Sequence, residues 1–154
     1  MTRLNAGDPA PSWEMTADDG TTVTSTSLAG SPYVLYFYPK DDTAGCTAQA
    51  CGLRDSWSAV TATGVPLFGV SPDSVSSHVK FRDKYSLPYP LLSDEGHRVA
   101  EAFGVWILKN YMGREYFGTE RSTFVVGADG RIEHVLAQVK PGEHVGQLLD
   151  VLAA

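Results

Sequence analysis

Cys46 and Cys51 are the only cysteines in the chain, and they stand five positions apart just past the apolar run Tyr33-Val-Leu-Tyr-Phe-Tyr-Pro39. A thiol in the first turn of a helix is a candidate nucleophile, because the helix dipole favours the thiolate there. A second thiol nearby, but not adjacent, is a candidate for catching the oxidised form of the first. Thr43 is the natural opening of such a helix. As N-cap its hydroxyl would accept from the backbone N–H of Gly45 or Cys46, which places Cys46 at the third helical position.

The dipole alone is too weak for the task. A free thiol titrates at about 8.5, and moving it to about 6 takes roughly 3.4 kcal/mol. A helix N-terminus offers at most about 2 kcal/mol, and Asp41 and Asp42 would oppose it if they faced the sulfur. A cation is therefore required. Arg121 is the first candidate, since a charge heading the apolar stretch Arg121-Ser-Thr-Phe-Val-Val126 is otherwise unexplained. Arg54, three residues beyond Cys51, is the second and is expected to project to solvent.

Spacing separates the two thiols. Five residues on an ideal helix put Cα atoms roughly 8–9 Å apart, whereas a disulfide needs them within about 7 Å. An intact helix thus keeps Cys46 and Cys51 unbonded. A Cys-x-x-Cys pair would sit at about 5 Å and bond without distortion. The observed spacing suits thiols held apart while one reacts and joined by local unwinding, not a pre-formed dithiol shuttle.

The elements that must position these residues follow from pattern. Ala17-Asp-Asp-Gly20 marks a turn in a short N-terminal hairpin. Tyr33 to Tyr38, aromatic, β-branched and uncharged, reads as a central strand that Pro39 ends. A helix runs from Thr43 to about Thr61, with Leu53, Trp57 and Val60 at helical spacing. Val65 to Val70 is a second strand, and Asp73 or Ser74 caps a helix reaching about Tyr85. Leu91-Leu92 is a short strand and His97 to Phe103 a short helix. The glycine-punctuated stretch from Gly104 to Gly118 reads as an ordered loop. Arg121–Val126 and Arg131–Leu136 flank Gly127-Ala-Asp-Gly130 as an antiparallel pair, and Glu143 to Leu152 is an amphipathic helix. A β-α-β-α half needs a right-handed parallel crossover. With a β-β-α half it predicts an α/β, thioredoxin-like fold: a central mixed sheet flanked by helices on both faces, with an N-terminal hairpin extension. In such a sheet the start of the Arg121 strand lies beside the N-terminus of the first helix.

At 154 residues the chain is expected to form one domain, 1–154, with a core that needs no disulfide staples. No apolar run approaches the roughly 18 residues of a membrane span, and the N-terminal residues do not resemble a signal peptide. Cytoplasm is the expectation, and there a cysteine pair is catalytic or metal-binding rather than structural. The formal net charge of −6, with lysines and arginines scattered singly, argues against a nucleic-acid partner. A monomer is expected for want of a long exposed apolar stripe.

Pro39-x-x-x-Thr43-x-x-Cys46 matches the peroxiredoxin active-site pattern, and Arg121-Ser-Thr-Phe resembles that family's active-site arginine segment. The spacing to Cys51, followed by Gly-Leu-Arg-Asp55, resembles the bacterioferritin comigratory protein subfamily, also called peroxiredoxin Q. The likeness continues through Leu91-Leu-Ser-Asp94, Phe103-Gly-Val-Trp106 and Gly130-Arg-Ile-Glu-His134. It implies a thioredoxin-dependent thiol peroxidase acting on hydrogen peroxide and organic hydroperoxides. Cys46 would become a sulfenic acid, Cys51 would resolve it as an intramolecular disulfide, and thioredoxin or a similar dithiol would reduce that bond. By position, Pro39 would shield the sulfur, Thr43 would orient the peroxide, and Arg121 would stabilise the thiolate and the transition state. The resemblance implies no metal or organic cofactor. Two positions depart from the subfamily: Ala44 stands where proline is usual, giving a looser first turn, and Gln49 where glutamate is frequent, without a consequence derivable from sequence.

Other readings have weaker support. A thioredoxin-like disulfide oxidoreductase or redox sensor would want Cys-x-x-Cys and a proline ahead of the facing strand, where this chain has Arg121. A metal-binding module would want more ligands than two thiols, and His78, His97, His134 and His144 show no local ligand spacing. Asp18-Asp19 and Asp94-Glu95 read as solvated turns, and His134 as surface. Trp106, Tyr111, Tyr116 and Phe117 read as core packing under the loop, with a collar for organic peroxides as the alternative.

Overall fold

Tyr33–Phe37 lacks charge because it is covered on both sides, with all five residues buried. In the computed structural model, which describes residues 3–153, this segment is the third of nine strands. They are β1 (Glu14–Ala17), β2 (Thr22–Thr24), β3 (Tyr33–Phe37), β4 (Leu67–Ser71), β5 (Leu91–Ser93), β6 (Trp106–Tyr111), β7 (Arg114–Thr119), β8 (Ser122–Val126) and β9 (Ile132–Leu136). Seven form one sheet in the order β2-β1-β5-β4-β3-β8-β9. β3, β4 and β5 are parallel; β8 and β9 on one side, and β1 and β2 on the other, are antiparallel. The helices are α1 (Ala44–Asp55), α2 (Trp57–Ala62), α3 (Val75–Tyr85), α4 (Arg98–Ala102) and α5 (His144–Ala153). This is the mixed, thioredoxin-like sheet expected, and the Asp18–Gly20 turn closes the expected β1–β2 hairpin.

Alternation along β3 splits the core into two layers. Tyr33, Leu35 and Phe37 pack with Trp13, Phe103 and Phe124 on one face. Val34, Tyr36 and Tyr38 pack with Cys46, Leu53, Phe81 and Leu148 on the other, under α1, α3 and α5. The reactive-cysteine helix therefore stands on the second layer, with its N-terminus at the carboxyl end of β3.

Two expectations about elements are corrected. The helix expected to reach Thr61 breaks at Ser56 (φ −107°, ψ 20°) into α1 and α2. The hydrogen bonds Ser56 N–H to Gly52 O and Val60 N–H to Ser56 O bridge the break, so the apolar spacing continues across it. The stretch read as a loop is the separate β6–β7 hairpin, whose two-residue turn places Met112 and Gly113 at φ 52° and 80°, a type I′ geometry. Tyr111, Tyr116 and Phe117 are exposed on it, with Leu108 and Met112, rather than packed in a core. Trp106 lies half-buried, stacked on His97 at 4.1 Å between ring centroids. Leu108 and Phe117 are paired on one face of the hairpin, and Tyr111 and Tyr116 lie on the other. No helix among the described residues is long and apolar enough to cross a membrane.

Candidate active site

Register brings Arg121 to the cysteine. β3 and β8 run antiparallel with Phe37 opposite Ser122, so Arg121, one residue before β8, lies at the carboxyl end of β3. The chain leaves β3 there through Pro39 and enters α1. Thr43 is the N-cap (φ −98°, ψ 156°), Ala44 begins the helix, and Cys46 is its third residue, 2% exposed. Arg121 donates from Nη2 to Cys46 Sγ at 3.3 Å, and its backbone carbonyl accepts from Val139 N–H. The guanidinium sits so close that a Cβ on Gly45 would lie 3.2 Å from Nη2 and 3.4 Å from Pro141 Cγ. A side chain at the second helical position would press on the guanidinium that reaches the sulfur.

The second limb of the guanidinium goes to Gln49, whose Oε1 accepts from Arg121 Nη1. Gln49 is fully buried, and its position three residues after Cys46 puts it on the same helix face. The sequence left it without a role; the structure makes it the side chain that orients Arg121. Lys109 is a second cation that sequence reading missed, because it lies on the hairpin mistaken for loop. Burial lowers its pKa first and the Arg121 charge second, while Cys46 and Glu120 act in the opposite direction. His144, buried under Arg121's side of the sheet, is pushed down to about 4 by burial and then by the Arg121 charge. Its Nε2 pairs with Thr123 Oγ1 at 2.8 Å.

The acidic residues ahead of the helix turn away from the sulfur. Asp41 is buried and accepts from Tyr38 Oη at 2.6 Å and Ser77 Oγ at 2.8 Å, and lies 2.7 Å from His78 Nδ1. Asp42, at φ 56°, accepts from Lys84 Nζ and Tyr85 Oη, each at 2.8 Å. Their charges are spent on α3, which ties down the loop carrying Pro39 and Thr43. Asp41, Asp73 and His78 are grouped closely enough to suggest a metal site. Their atoms already have other partners: Asp73 Oδ2 accepts from Asp41 N–H and Ser71 Oγ, and His78 Nε2 faces Leu92 O. Hydrogen bonding accounts for the cluster.

Thr43 differs from its expected role. Its hydroxyl caps no N–H; it donates to Lys40 O at 2.8 Å and is exposed at the mouth of the site. With its proton used there, the oxygen keeps lone pairs that can accept from a ligand hydroxyl. Pro39 is half-buried beside it. Cys51 lies half-buried in the same unbroken helix, and both cysteines are free thiols, so helix geometry holds them about 8–9 Å apart. Arg54 stays away from Cys46, donating from Nη1 to Tyr85 O at 2.8 Å and from Nε to Asp55. His134, expected at the surface, is half-buried on β9. The arrangement is a buried thiol at a helix N-terminus, faced by a guanidinium that a neutral amide orients, with a second thiol held off along the helix. It is suited to nucleophilic attack on an electrophilic atom and to storing the resulting oxidised sulfur for resolution.

Residues 6–135 match the AhpC/TSA family. Peroxiredoxin Bcp of Bacillus subtilis is 45% identical over 149 residues, covering 97% of this chain and 95% of that protein. Peroxiredoxin Bcp of Escherichia coli K12 is 43% identical over 152 residues, covering 99% and 97%. Among solved structures, peroxiredoxin Q of Xanthomonas campestris matches with a TM-score of 0.89 at 33% identity, covering 97% of this chain and 98% of its own. A cysteine-to-serine variant of Xylella fastidiosa PrxQ matches at 0.91 and 30%, covering 99% and 98%. The Xanthomonas bacterioferritin comigratory protein, at 0.89 and 33% with 97% and 98% coverage, was crystallised for its alkyl peroxide reduction activity.

Proposed function

The chain belongs to the AhpC/TSA family, as a peroxiredoxin of the Bcp and Q kind, and on that premise we propose that its thiol-dependent peroxidase activity runs through Cys46. The Cys46 thiolate attacks the terminal oxygen of a hydroperoxide. The O–O bond breaks, the alcohol or water leaves with a proton, and Cys46 becomes a sulfenic acid. Cys51 then attacks that sulfur, forming S–S and breaking S–O, and water departs with the Cys51 proton. A dithiol reductant of the thioredoxin kind returns both thiols. The protein works as one domain, in the cytoplasm, on hydrogen peroxide and organic hydroperoxides.

The observation that carries this reading is the 3.3 Å contact of Arg121 Nη2 with Cys46 Sγ at the start of α1. A donor there stabilises the attacking sulfur and, after a small shift, the charge that develops on the peroxide oxygens. Thr43, its own proton given to Lys40 O, accepts from the peroxide hydroxyl, and Pro39 closes the side of the pocket toward water. A disulfide oxidoreductase of the thioredoxin kind is less well served, since it needs two thiols within bonding distance in an intact helix and has no use for a guanidinium on the nucleophile.

Two variants test the assignment. Cys46→Ser is expected to lose peroxide reduction altogether, and retained turnover removes Cys46 as nucleophile. Cys51→Ser is expected to consume about one equivalent of peroxide per chain and then stall with thioredoxin as reductant. Sustained turnover in that variant shows that another thiol resolves the sulfenic acid.

A further inference from the structure

Ala50 stands between the two cysteines, and the peptide unit joining it to Cys51 has a partner outside the helix. Tyr89, fully buried, donates from Oη to Ala50 O at 3.1 Å. Its single proton is used in that bond, so the Tyr36 hydroxyl, 2.9 Å from Tyr89 Oη, is the donor in the second contact and supports the first. The approach is built into the sheet. A Cβ on Gly69 of β4 would lie 2.9 Å from Tyr36 Cζ and Oη, so a glycine is what leaves room for the phenol to reach Tyr89. Trp57 packs on the other side of Tyr89, 5.4 Å between ring centroids. Beyond Cys51 the helix is tied again, by Arg54 Nη1 to Tyr85 O.

At its other end the same helix is held less firmly. Thr43 supplies no side-chain cap, and Ala44 is exposed. Closing a Cys46–Cys51 bond must shorten a Cα separation of about 8–9 Å to under about 7 Å. The turn at 47–50 cannot remain helical while this happens, and the peptide unit 50–51 lies inside the ring that closes. Unwinding that reaches this peptide unit turns its carbonyl and breaks the Tyr89 contact.

We propose that the Tyr89 hydroxyl is a positioning device that restrains unwinding of α1, and so sets how long the Cys46 sulfenic acid lasts before Cys51 resolves it. This rests on the proposed intramolecular resolution. Two fates compete for the sulfenic acid. Attack by the Cys51 thiol forms S–S and releases water; attack by the sulfenate on a second peroxide breaks another O–O bond, leaving a sulfinic acid and one alcohol or water. Tyr89 favours the second fate by slowing the first. Removing one buried hydroxyl donor should raise the resolution rate about fivefold, the equivalent of about 1 kcal/mol for one hydrogen bond.

The test compares wild type with Tyr89→Phe, which keeps the ring, and with Tyr36→Phe, which removes only the supporting donor. Peroxide pulses are quenched at intervals, and sulfenic acid, disulfide and sulfinic acid are counted by mass spectrometry. Tyr89→Phe is expected to oxidise Cys46 at the wild-type rate, to form the 46–51 disulfide about fivefold faster, and to need about fivefold more peroxide for half-maximal sulfinic acid. Tyr36→Phe is expected to change resolution less than twofold. In the Cys51→Ser background Tyr89→Phe should leave the sulfinic acid rate unaltered, which separates restraint of the helix from a change in the sulfur itself. A Tyr89→Phe resolution rate within twofold of wild type, or an equal effect of Tyr36→Phe, overturns the proposal. Absence of the 46–51 disulfide in the wild type overturns instead the resolution step on which it rests.

Discussion

Arg121 divides its fork between a sulfur and an amide oxygen, and the amide matters as much as the charge. Gln49 Oε1 holds Nη1 without bringing a negative charge to the site, so no carboxylate competes with the Cys46 sulfur for the guanidinium among the described contacts. A charge-assisted hydrogen bond contributes about 1.5–3 kcal/mol. On the proposed mechanism Arg121→Ala should therefore lower the second-order rate with hydrogen peroxide by about ten- to a hundredfold, measured by competition with a reference peroxidase. Gln49→Ala keeps the cation and loses only its orientation, so a drop of about fivefold is expected. Equal losses in the two variants would show that orientation, not charge, limits the reaction. Arg121 was legible in sequence because a charge at the head of an apolar strand demands an explanation. Gln49 was not, because a buried glutamine on a helix face carries no signal until its partner's position is known.

At the scale of elements, legibility followed burial. β3, β4 and β8 are buried at every residue, so their sequences carry no charge and read as strands. The β6–β7 hairpin stands apart from the main sheet and is mostly exposed, so no core imposes a period on it and its aromatic residues scatter between faces. Its turn was equally hard to read. Type I′ turns favour Asn-Gly, and here the first position is Met112, at φ 52° and fully in solvent. Asparagine tolerates that left-handed conformation better than an unbranched apolar side chain does. Met112→Asn should therefore stabilise the protein by up to about 1 kcal/mol, or raise its melting temperature by about 2–4 °C for a chain of this size. An unchanged or lower midpoint in thermal denaturation would mean that the left-handed conformation costs methionine no more than asparagine. The break between α1 and α2 leaves no mark on the sequence for the opposite reason. Hydrogen bonds around Ser56 carry the i to i−4 ladder across the break, so Leu53, Trp57 and Val60 preserve a single helical period through it.

For the molecule as a whole, the site imposes a cost that appears as pH dependence. His144 begins α5, is fully buried in the layer that also holds Cys46, and is kept neutral by burial and by Arg121. Its folded pKa is about 4, against an ordinary 6.5. Between those values the unfolded chain binds a proton that the folded chain refuses, so stability increases with pH across this window and is lost as pH falls through it. The full loss is about 3 kcal/mol by pH 4, a substantial share of a typical domain's 5–15 kcal/mol. The sequence pI of about 5.1 makes the lower half of that window unsuitable, since a chain near zero net charge associates. The upper half suffices. From pH 7.5 to 5.5 the wild type should lose about 1 kcal/mol through this group in urea denaturation. His144→Gln keeps a partner for Thr123 while removing the titration, and should be flatter over the same range by that amount. Parallel curves for the two proteins would show that His144 titrates alike in the folded and unfolded chains, and that neither burial nor the Arg121 charge acts on it.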